Sequence, residues 1–193
     1  MPKFISWIAK IKLQEDMMRS SAVVNRALGA ADKGTRYGLG AGGMNPGNPS
    51  PAANGKCDCS GFVAWCLGMS RKTREAFYVV ENGGWIETTA VSKDIKASTG
   101  IFAPLEKPLP GSIVVYGDYR DSNGRHHEGH MAVVTEVNGR SGVAGIDKIV
   151  HCSVSNDNSG DAIQETDARI FANNRNSLVG WCILVQDRVG NTG

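Results

Sequence analysis

The sequence predicts an α+β fold in which a helix that begins at Cys59 packs on an antiparallel β-sheet. An apolar run, Phe-Val-Ala-Trp-Cys, follows Asp-Cys-Ser-Gly and is typical of a buried helix. Two segments near 130–137 and 146–154 are rich in β-branched residues and are typical of strands. Helical patterns come first and strand patterns later. This order favours α+β over an alternating α/β chain.

The other elements follow from the same patterns. Apolar residues recur at helical spacing within 1–19, which predicts an N-terminal amphipathic helix packed on the domain. A Gly- and Pro-rich loop over 38–56 is expected to form one wall of a cleft. The full prediction consists of helices near 3–18, 20–32, 59–68 and 71–80, and strands near 112–117, 130–137, 146–154 and 179–186.

Length and composition are those of a small globular protein. The 193 residues are enough for one hydrophobic core, and we see no repeat or linker, so we predict a single domain over 1–193. The chain is 41% hydrophobic and 21% charged, with a net charge of +2. Such a small charge argues against nucleic acid as a main partner.

The sequence shows no signal peptide and no transmembrane segment. The apolar run Phe4–Ala9 is too short for either and is followed by lysines. We therefore expect no stable membrane insertion. If the protein acts outside the cytoplasm, it is exported by a signal-independent route, such as a phage lysis system or a contact-dependent secretion machine, or the chain is a trimmed form.

Cys59 lies where a loop turns into the predicted helix. Unpaired backbone N–H groups and the positive dipole at a helix N-terminus favour a thiolate, so the sequence predicts a nucleophilic cysteine with a lowered pKa. The alternative is a structural cysteine at a helix start. Asp58, directly before it, is expected to cap the helix rather than to contact substrate directly.

Two predicted strands each offer an imidazole to this cysteine. His130 opens the strand near 130–137, and His151 lies within the strand near 146–154. A nucleophile, a base and a group that orients the base form the general arrangement of nucleophilic catalysis, and the three need not be close in sequence. For each histidine, the alternative is a buried residue that merely satisfies a hydrogen bond in a strand.

Four segments, taken in order, resemble the NlpC-type cell-wall peptidases, a branch of the papain-like cysteine peptidases. Asp-Cys-Ser-Gly-Phe-Val at 58–63 is similar to the signature around that family's catalytic cysteine. Ser112 departs from the family, which has Asp after Pro-Gly. The other matching segments are Ala-Leu-Gly with the Tyr-Gly-Leu-Gly-Ala-Gly-Gly that follows it, Leu-Pro-Gly-Ser-Ile-Val-Val-Tyr, and His-Met-Ala-Val-Val, so that the resemblance covers roughly residues 20–155.

The resemblance implies a role for each matching residue. Cys59 would be the nucleophile, His130 the general base and His151 the residue that orients His130. Tyr37, Asp58 and Ser60 are the candidate oxyanion- and substrate-binding residues, with Tyr37 beside the thiol and the Cys59 backbone N–H as a second oxyanion donor.

Neither a disulfide framework nor a metal site is expected. The chain has five cysteines, an odd number, and Cys59 must be unmodified for catalysis. Cys66, Cys152 and Cys182 are predicted to behave as small buried hydrophobes. The histidines of the run His-His-Glu-Gly-His at 126–130 are too closely spaced for an ordinary structural zinc site, so we expect no cofactor and no metal, with the first two histidines at the cleft mouth.

The sequence therefore predicts a cysteine peptidase or amidase that cleaves an amide bond in the peptide part of bacterial peptidoglycan, through a Cys-His-His triad and a thioester acyl-enzyme. A first alternative is a hydrolase of another small amide conjugate that uses the same residues. A second is a non-catalytic wall-binding or phage structural module with this fold. The sequence identifies neither an immunity partner nor a delivery partner.

Overall fold

The computed structural model describes residues 17–183. The helix predicted near 3–18 lies outside these residues apart from its last two positions, and so does the end of the strand predicted near 179–186. The described helices are α1 (17–30), α2 (Cys59–Cys66), α3 (Ala76–Asn82), α4 (Thr88–Ala97), α5 (Val154–Asp157) and α6 (Arg169–Ala172), with a 3₁₀ turn over Val143–Gly145.

The described strands form one large sheet and two short pairs. They are β1 (Arg36–Tyr37), β2 (Lys56–Cys57), β3 (Phe102–Pro104), β4 (Ile113–Tyr116), β5 (Tyr119–Arg120), β6 (His126–His127), β7 (His130–Val137), β8 (Ile146–Cys152), β9 (Ile163–Asp167) and β10 (Leu178–Cys182). The six-stranded sheet has the order β3-β10-β4-β7-β8-β9, and every neighbouring pair in it is antiparallel. The predicted α+β class is confirmed.

The two faces of the large sheet bury different clusters. One face packs against α2, where Phe62 and Val63 meet Met131, Val133 and Val150 in the main core. The other face is covered by α6, whose Phe171 packs on a second cluster. Because side chains alternate along a strand, β7 and β8 serve both clusters, which explains their near-continuous apolar sequences.

The predicted helix near 71–80 begins later than expected, at Ala76. The backbone N–H of Arg71 donates to Gly43, and its carbonyl oxygen accepts from Ile86. Since these groups bind other segments, this stretch is extended rather than helical. The sequence analysis also missed α4, whose N-terminus is capped by Glu87, and the short strands β3 and β9, which lie at the edges of the sheet.

Within residues 17–183, no helix combines the length and the apolarity that crossing a membrane requires.

Candidate active site

Cys59 is the first residue of α2, as predicted, and it is only 7% exposed. The backbone N–H groups of Ser60 and Met131 lie near its sulfur and act to lower the pKa of the thiol. Because Met131 directly follows His130, its proximity to the sulfur places Cys59 beside the beginning of β7. Helix α2 thus brings the thiol to the strand that carries the first histidine.

Close backbone packing positions the start of α2. A Cβ on Gly61 would lie 2.7 Å from the carbonyl oxygen of Ala41, and a Cβ on Gly43 would lie 2.3 Å from the carbonyl oxygen of Gly61. Gly43 also has a φ of +72°, a conformation that L side chains rarely adopt. The glycines of the signature and of the preceding loop are therefore needed for the loop to lie on the helix N-terminus.

Asp58 caps α2, as predicted. One carboxylate oxygen accepts from the Gly61 N–H at 2.8 Å, and the other accepts from the Gly40 N–H at 2.7 Å. Arg71 adds a buried ion pair, with its Nη2 3.0 Å from the second oxygen of Asp58 and 2.7 Å from Ser60 Oγ. The polar atoms of Asp58 and Ser60 are thus held by the protein at the floor of the cleft.

The sequence analysis missed Arg71. Its partners are 11 and 13 residues away along the chain, and no motif includes it. Its burial, with 5% of its surface exposed, is a property of the tertiary structure alone. A lone arginine next to Lys72 is ordinarily solvated, so the sequence contains no signal for this residue.

His130 and His151 form a pair. Nε2 of His130 lies 2.7 Å from Nδ1 of His151, and the two rings meet edge to face with centroids 5.0 Å apart. The His130 ring stacks on Phe171 at 5.5 Å and also contacts Tyr116. These contacts determine the ring orientation of His130 and leave its Nδ1 as the nitrogen not engaged by His151.

Both histidines are held neutral. Burial, and secondarily the neighbouring His151, lower the pKa of His130 to about 3. Burial lowers the pKa of His151 to about 4. At neutral pH each ring therefore offers one N–H donor and one lone pair.

The expected thiolate at Cys59 is a wrong prediction for this structure. Burial, followed by the nearby charge of Asp58, raises the pKa of Cys59 to about 12. The backbone N–H groups of Met131 and Ser60 and the charge of Arg71 act in the opposite direction but are weaker. No imidazolium is present to assist because His130 is neutral, so the resting pair is a thiol and an imidazole.

Tyr37 lies in the same cleft as Cys59, as predicted. The cleft has a volume of about 310 Å³ and is lined on one side by Leu39 and Gly40, so the loop after Tyr37 forms the expected wall. Burial and the neighbouring Cys59 and Asp58 raise the pKa of the Tyr37 phenol well above its usual range. Its hydroxyl therefore remains protonated and able to donate a hydrogen bond.

The two histidines that precede β7 lie in a separate hairpin made of β5 and β6. His126 lines the cleft and lies 3.4 Å from Asp118, whereas His127 lies 3.0 Å from Asp121 and stacks on Tyr119. The side chains thus pair with two different carboxylates. Among residues 17–183, no three His, Cys, Asp or Glu side chains are grouped to hold a metal ion.

The cysteines are all buried, and none of the five, all within residues 17–183, forms a disulfide. Cys66 packs in the main core, as do Cys152 and Cys182, in agreement with their prediction as small hydrophobes. The thiol of Cys152 also lies 3.2 Å from the carbonyl oxygen of Cys57, a contact that joins β8 to β2, the strand before α2.

A cysteine at the start of a helix that packs against an antiparallel sheet, with a histidine at the start of the sheet strand beside it, is the arrangement of the papain-like class of cysteine peptidases. A family model described as the CHAP domain matches residues 48–148, just over half of the chain, and the chain belongs to this family. No curated protein matches the chain.

CHAP domains are amidases or peptidases of the papain-like cysteine peptidase type, so the family supports a hydrolase with a peptidoglycan-type substrate. The match includes Cys59 and His130 and ends before His151. It confirms the papain-like class that the resemblance implied. The NlpC-type assignment within that class stays a prediction.

Proposed function

We propose that the protein cleaves an amide bond in the peptide part of peptidoglycan, with Cys59 as nucleophile, His130 as general base and His151 as the residue that orients His130. The observation that supports the proposal is a hydrogen-bonded pair of histidines that begins on the strand beside the Cys59 sulfur. The sulfur lies near the backbone N–H of Met131, which follows His130, and the His130 ring is bonded to His151 at 2.7 Å. In the CHAP family this arrangement supports acyl transfer through a thioester.

The neutral resting pair determines how the first step proceeds. The sulfur has little nucleophilicity while it holds its proton, and its pKa of about 12 disfavours a free thiolate. Proton transfer to Nδ1 of His130 therefore accompanies attack of the sulfur on the substrate carbonyl. A new S–C bond forms, the carbonyl oxygen becomes an oxyanion, and the imidazolium is stabilised by its hydrogen bond to His151.

Two donors are available for the oxyanion. We propose the protonated hydroxyl of Tyr37 and the backbone N–H of Cys59 for this role. When the tetrahedral intermediate collapses, the C–N bond breaks and His130 returns its proton to the leaving amine. Water then attacks the thioester, again with His130 as base, and releases the acid and the free thiol.

The rim of the cleft favours a substrate with ammonium groups. Asp118, Glu87 and Glu128 line it, with Asp118 3.4 Å from His126 and Glu87 capping α4, whereas Arg71, which also lines the cleft, is paired with Asp58. An excess of carboxylates attracts a positively charged ligand. The free amino groups of the diamino acid or of the N-terminal residue of a stem peptide meet this requirement.

The NlpC-type resemblance makes the γ-D-glutamyl–diamino-acid bond the first candidate for cleavage. The muramoyl–L-Ala amide and the peptide crosslinks are the other candidates. The site of action would be the cell wall or the periplasm.

The experiment is digestion of purified peptidoglycan followed by mass spectrometry of the products, whose masses identify the bond that was cut. Cys59→Ala should abolish hydrolysis and change the melting temperature by only a few degrees, because one small sulfur at a cleft is lost. Comparable activity in Cys59→Ala would overturn the proposal. Cys66→Ala, on the same helix but in the core, is the matched control for the loss of a buried thiol.

A further inference from the structure

A threonine on the edge strand of the sheet extends the histidine pair. Oγ1 of Thr166, on β9, lies 3.1 Å from Nε2 of His151. In the strand register, His151 faces Gln164, so the contact runs diagonally to the residue two positions further on the same face. A series of two hydrogen bonds, from Thr166 to His151 and from His151 to His130, therefore joins three neighbouring strands in the order β9, β8 and β7.

The direction of these hydrogen bonds follows from the contacts of Thr166, at one end of the hydrogen-bonded series. The Thr166 hydroxyl lies 3.0 Å from the backbone carbonyl oxygen of Asp167. A carbonyl oxygen can only accept, so the single hydroxyl hydrogen of Thr166 is directed to it. Toward His151, the Thr166 oxygen then acts as the acceptor, and Nε2 of His151 must carry the hydrogen.

The position of this hydrogen on His151 determines the positions of the hydrogens on both histidine rings. A neutral imidazole with its hydrogen on Nε2 has a lone pair on Nδ1. Nδ1 of His151 therefore accepts from Nε2 of His130 at 2.7 Å. The neutral His130 then has its own lone pair on Nδ1, the nitrogen that is not engaged by His151.

We propose that Thr166 is a positioning residue that selects the Nε2–H tautomer of both histidines and so leaves Nδ1 of His130 bare to receive the proton of Cys59. In the opposite tautomers, His151 would donate to His130 and Nδ1 of His130 would carry a hydrogen, so the base could not accept one. This inference rests on the proposed function for its catalytic consequence, but the tautomers themselves do not depend on it.

The first measurement needs no variant. Long-range ¹H–¹⁵N correlation spectra of the full chain labelled with ¹⁵N-histidine, recorded at pH 7, report which nitrogen of each ring carries hydrogen. We expect Nε2–H for His130 and for His151. A wild-type spectrum with Nδ1–H at His130 would overturn the inference.

The second measurement uses three variants of the full chain. Thr166→Val keeps the shape but leaves Nε2–H of His151 without an acceptor, so we expect the Nδ1–H tautomers to become populated and kcat to fall about tenfold with KM little changed. Thr166→Ser retains the hydroxyl and should remain within about twofold of wild type. The matched control is Thr135→Val on β7, whose hydroxyl bonds Glu165 and not a histidine. It should alter neither the tautomers nor kcat.

The outcomes separate this inference from the proposed function. If Cys59→Ala is as active as wild type, the proposed function fails, and the spectra still decide the tautomers. If Cys59→Ala is inactive while Thr166→Val keeps both the wild-type spectrum and the wild-type kcat, the positioning role of Thr166 is wrong. An equal loss of kcat in Thr166→Ser and Thr166→Val would also overturn it.

Discussion

The buried neutral histidines make a quantitative prediction about stability in acid. An unfolded histidine has a pKa near its ordinary value of 6.5, whereas burial lowers the pKa values of His130 and His151 to about 3 and about 4. Between pH 6.5 and these lower pKa values, the two histidines bind protons in the unfolded chain but not in the folded chain. The stability contribution is therefore complete above pH 6.5 and is lost as the pH falls toward the folded values.

The magnitude follows from these values. Between pH 7 and pH 5, each buried histidine should lower the free energy of unfolding by about 2 kcal/mol, so the pair should lower it by about 4 kcal/mol. That is a large part of the total stability of a typical domain, which is roughly 5–15 kcal/mol. Most carboxyl groups titrate below this window and contribute little to it.

The assay is urea unfolding at pH 7, 6 and 5, with the wild type compared with His151→Gln. The variant should lose only about half as much stability as the wild type over this range, because one of the two titrating groups is gone. Val150→Ala, at a fully buried apolar position on the same strand, is the control. It should lower the free energy of unfolding equally at every pH. An equal pH dependence in wild type and His151→Gln would refute the reasoning.

Four further results are expected. The rate of hydrolysis, kcat/KM, should stay nearly level from pH 8 down to pH 5 because the pKa of His130 is about 3, and a fall with a midpoint near 6.5 would contradict this. Activity should survive EDTA and be lost on prolonged treatment with iodoacetamide, and the reverse pattern would indicate a metal enzyme. His130→Ala should lower the rate by about 10² to 10⁴. His151→Gln should retain much more activity than His151→Ala, and equal losses in these two variants would contradict the orienting role of His151. Arg71→Met should destabilise the fold by about 3–5 kcal/mol in thermal or urea unfolding, because it leaves Asp58 charged and buried without its partner, and a loss below about 1 kcal/mol would show that the pair is not needed.

Local patterns predicted the elements that carry the candidate site. Cys59 begins a helix because Asp58 caps it and an apolar run follows, and both features are visible in the sequence. His130 and His151 lie in strands whose β-branched residues are equally visible. These strands are long and follow one another in the chain, and consecutive strands usually pair as antiparallel neighbours, as these two do.

The remaining features of the site depend on tertiary contacts. The thiol is neutral because burial and the charge of Asp58 raise its pKa by more than the backbone N–H groups at the helix N-terminus lower it. The extent of burial depends on the tertiary structure and cannot be predicted from a local sequence pattern. Arg71 and Thr166 have polar side chains whose partners lie on other elements, so neither belongs to a motif. Strand β9 is short, and Ile163 is its only apolar residue, which is why the segment that carries Thr166 was not predicted.

The position of β10 has a consequence for how the molecule is made. This strand, Leu178–Cys182, inserts between β3 and β4, which precede it by more than sixty residues. Until it arrives, both of these strands present an unpaired edge, and the sheet that supports the histidines is split. Because such distant pairings form slowly, a chain still under synthesis cannot complete the sheet. A hydrolase built in this way gains its activity only once β10 has been synthesised, and loss of β10 should yield an aggregating protein rather than a shortened enzyme.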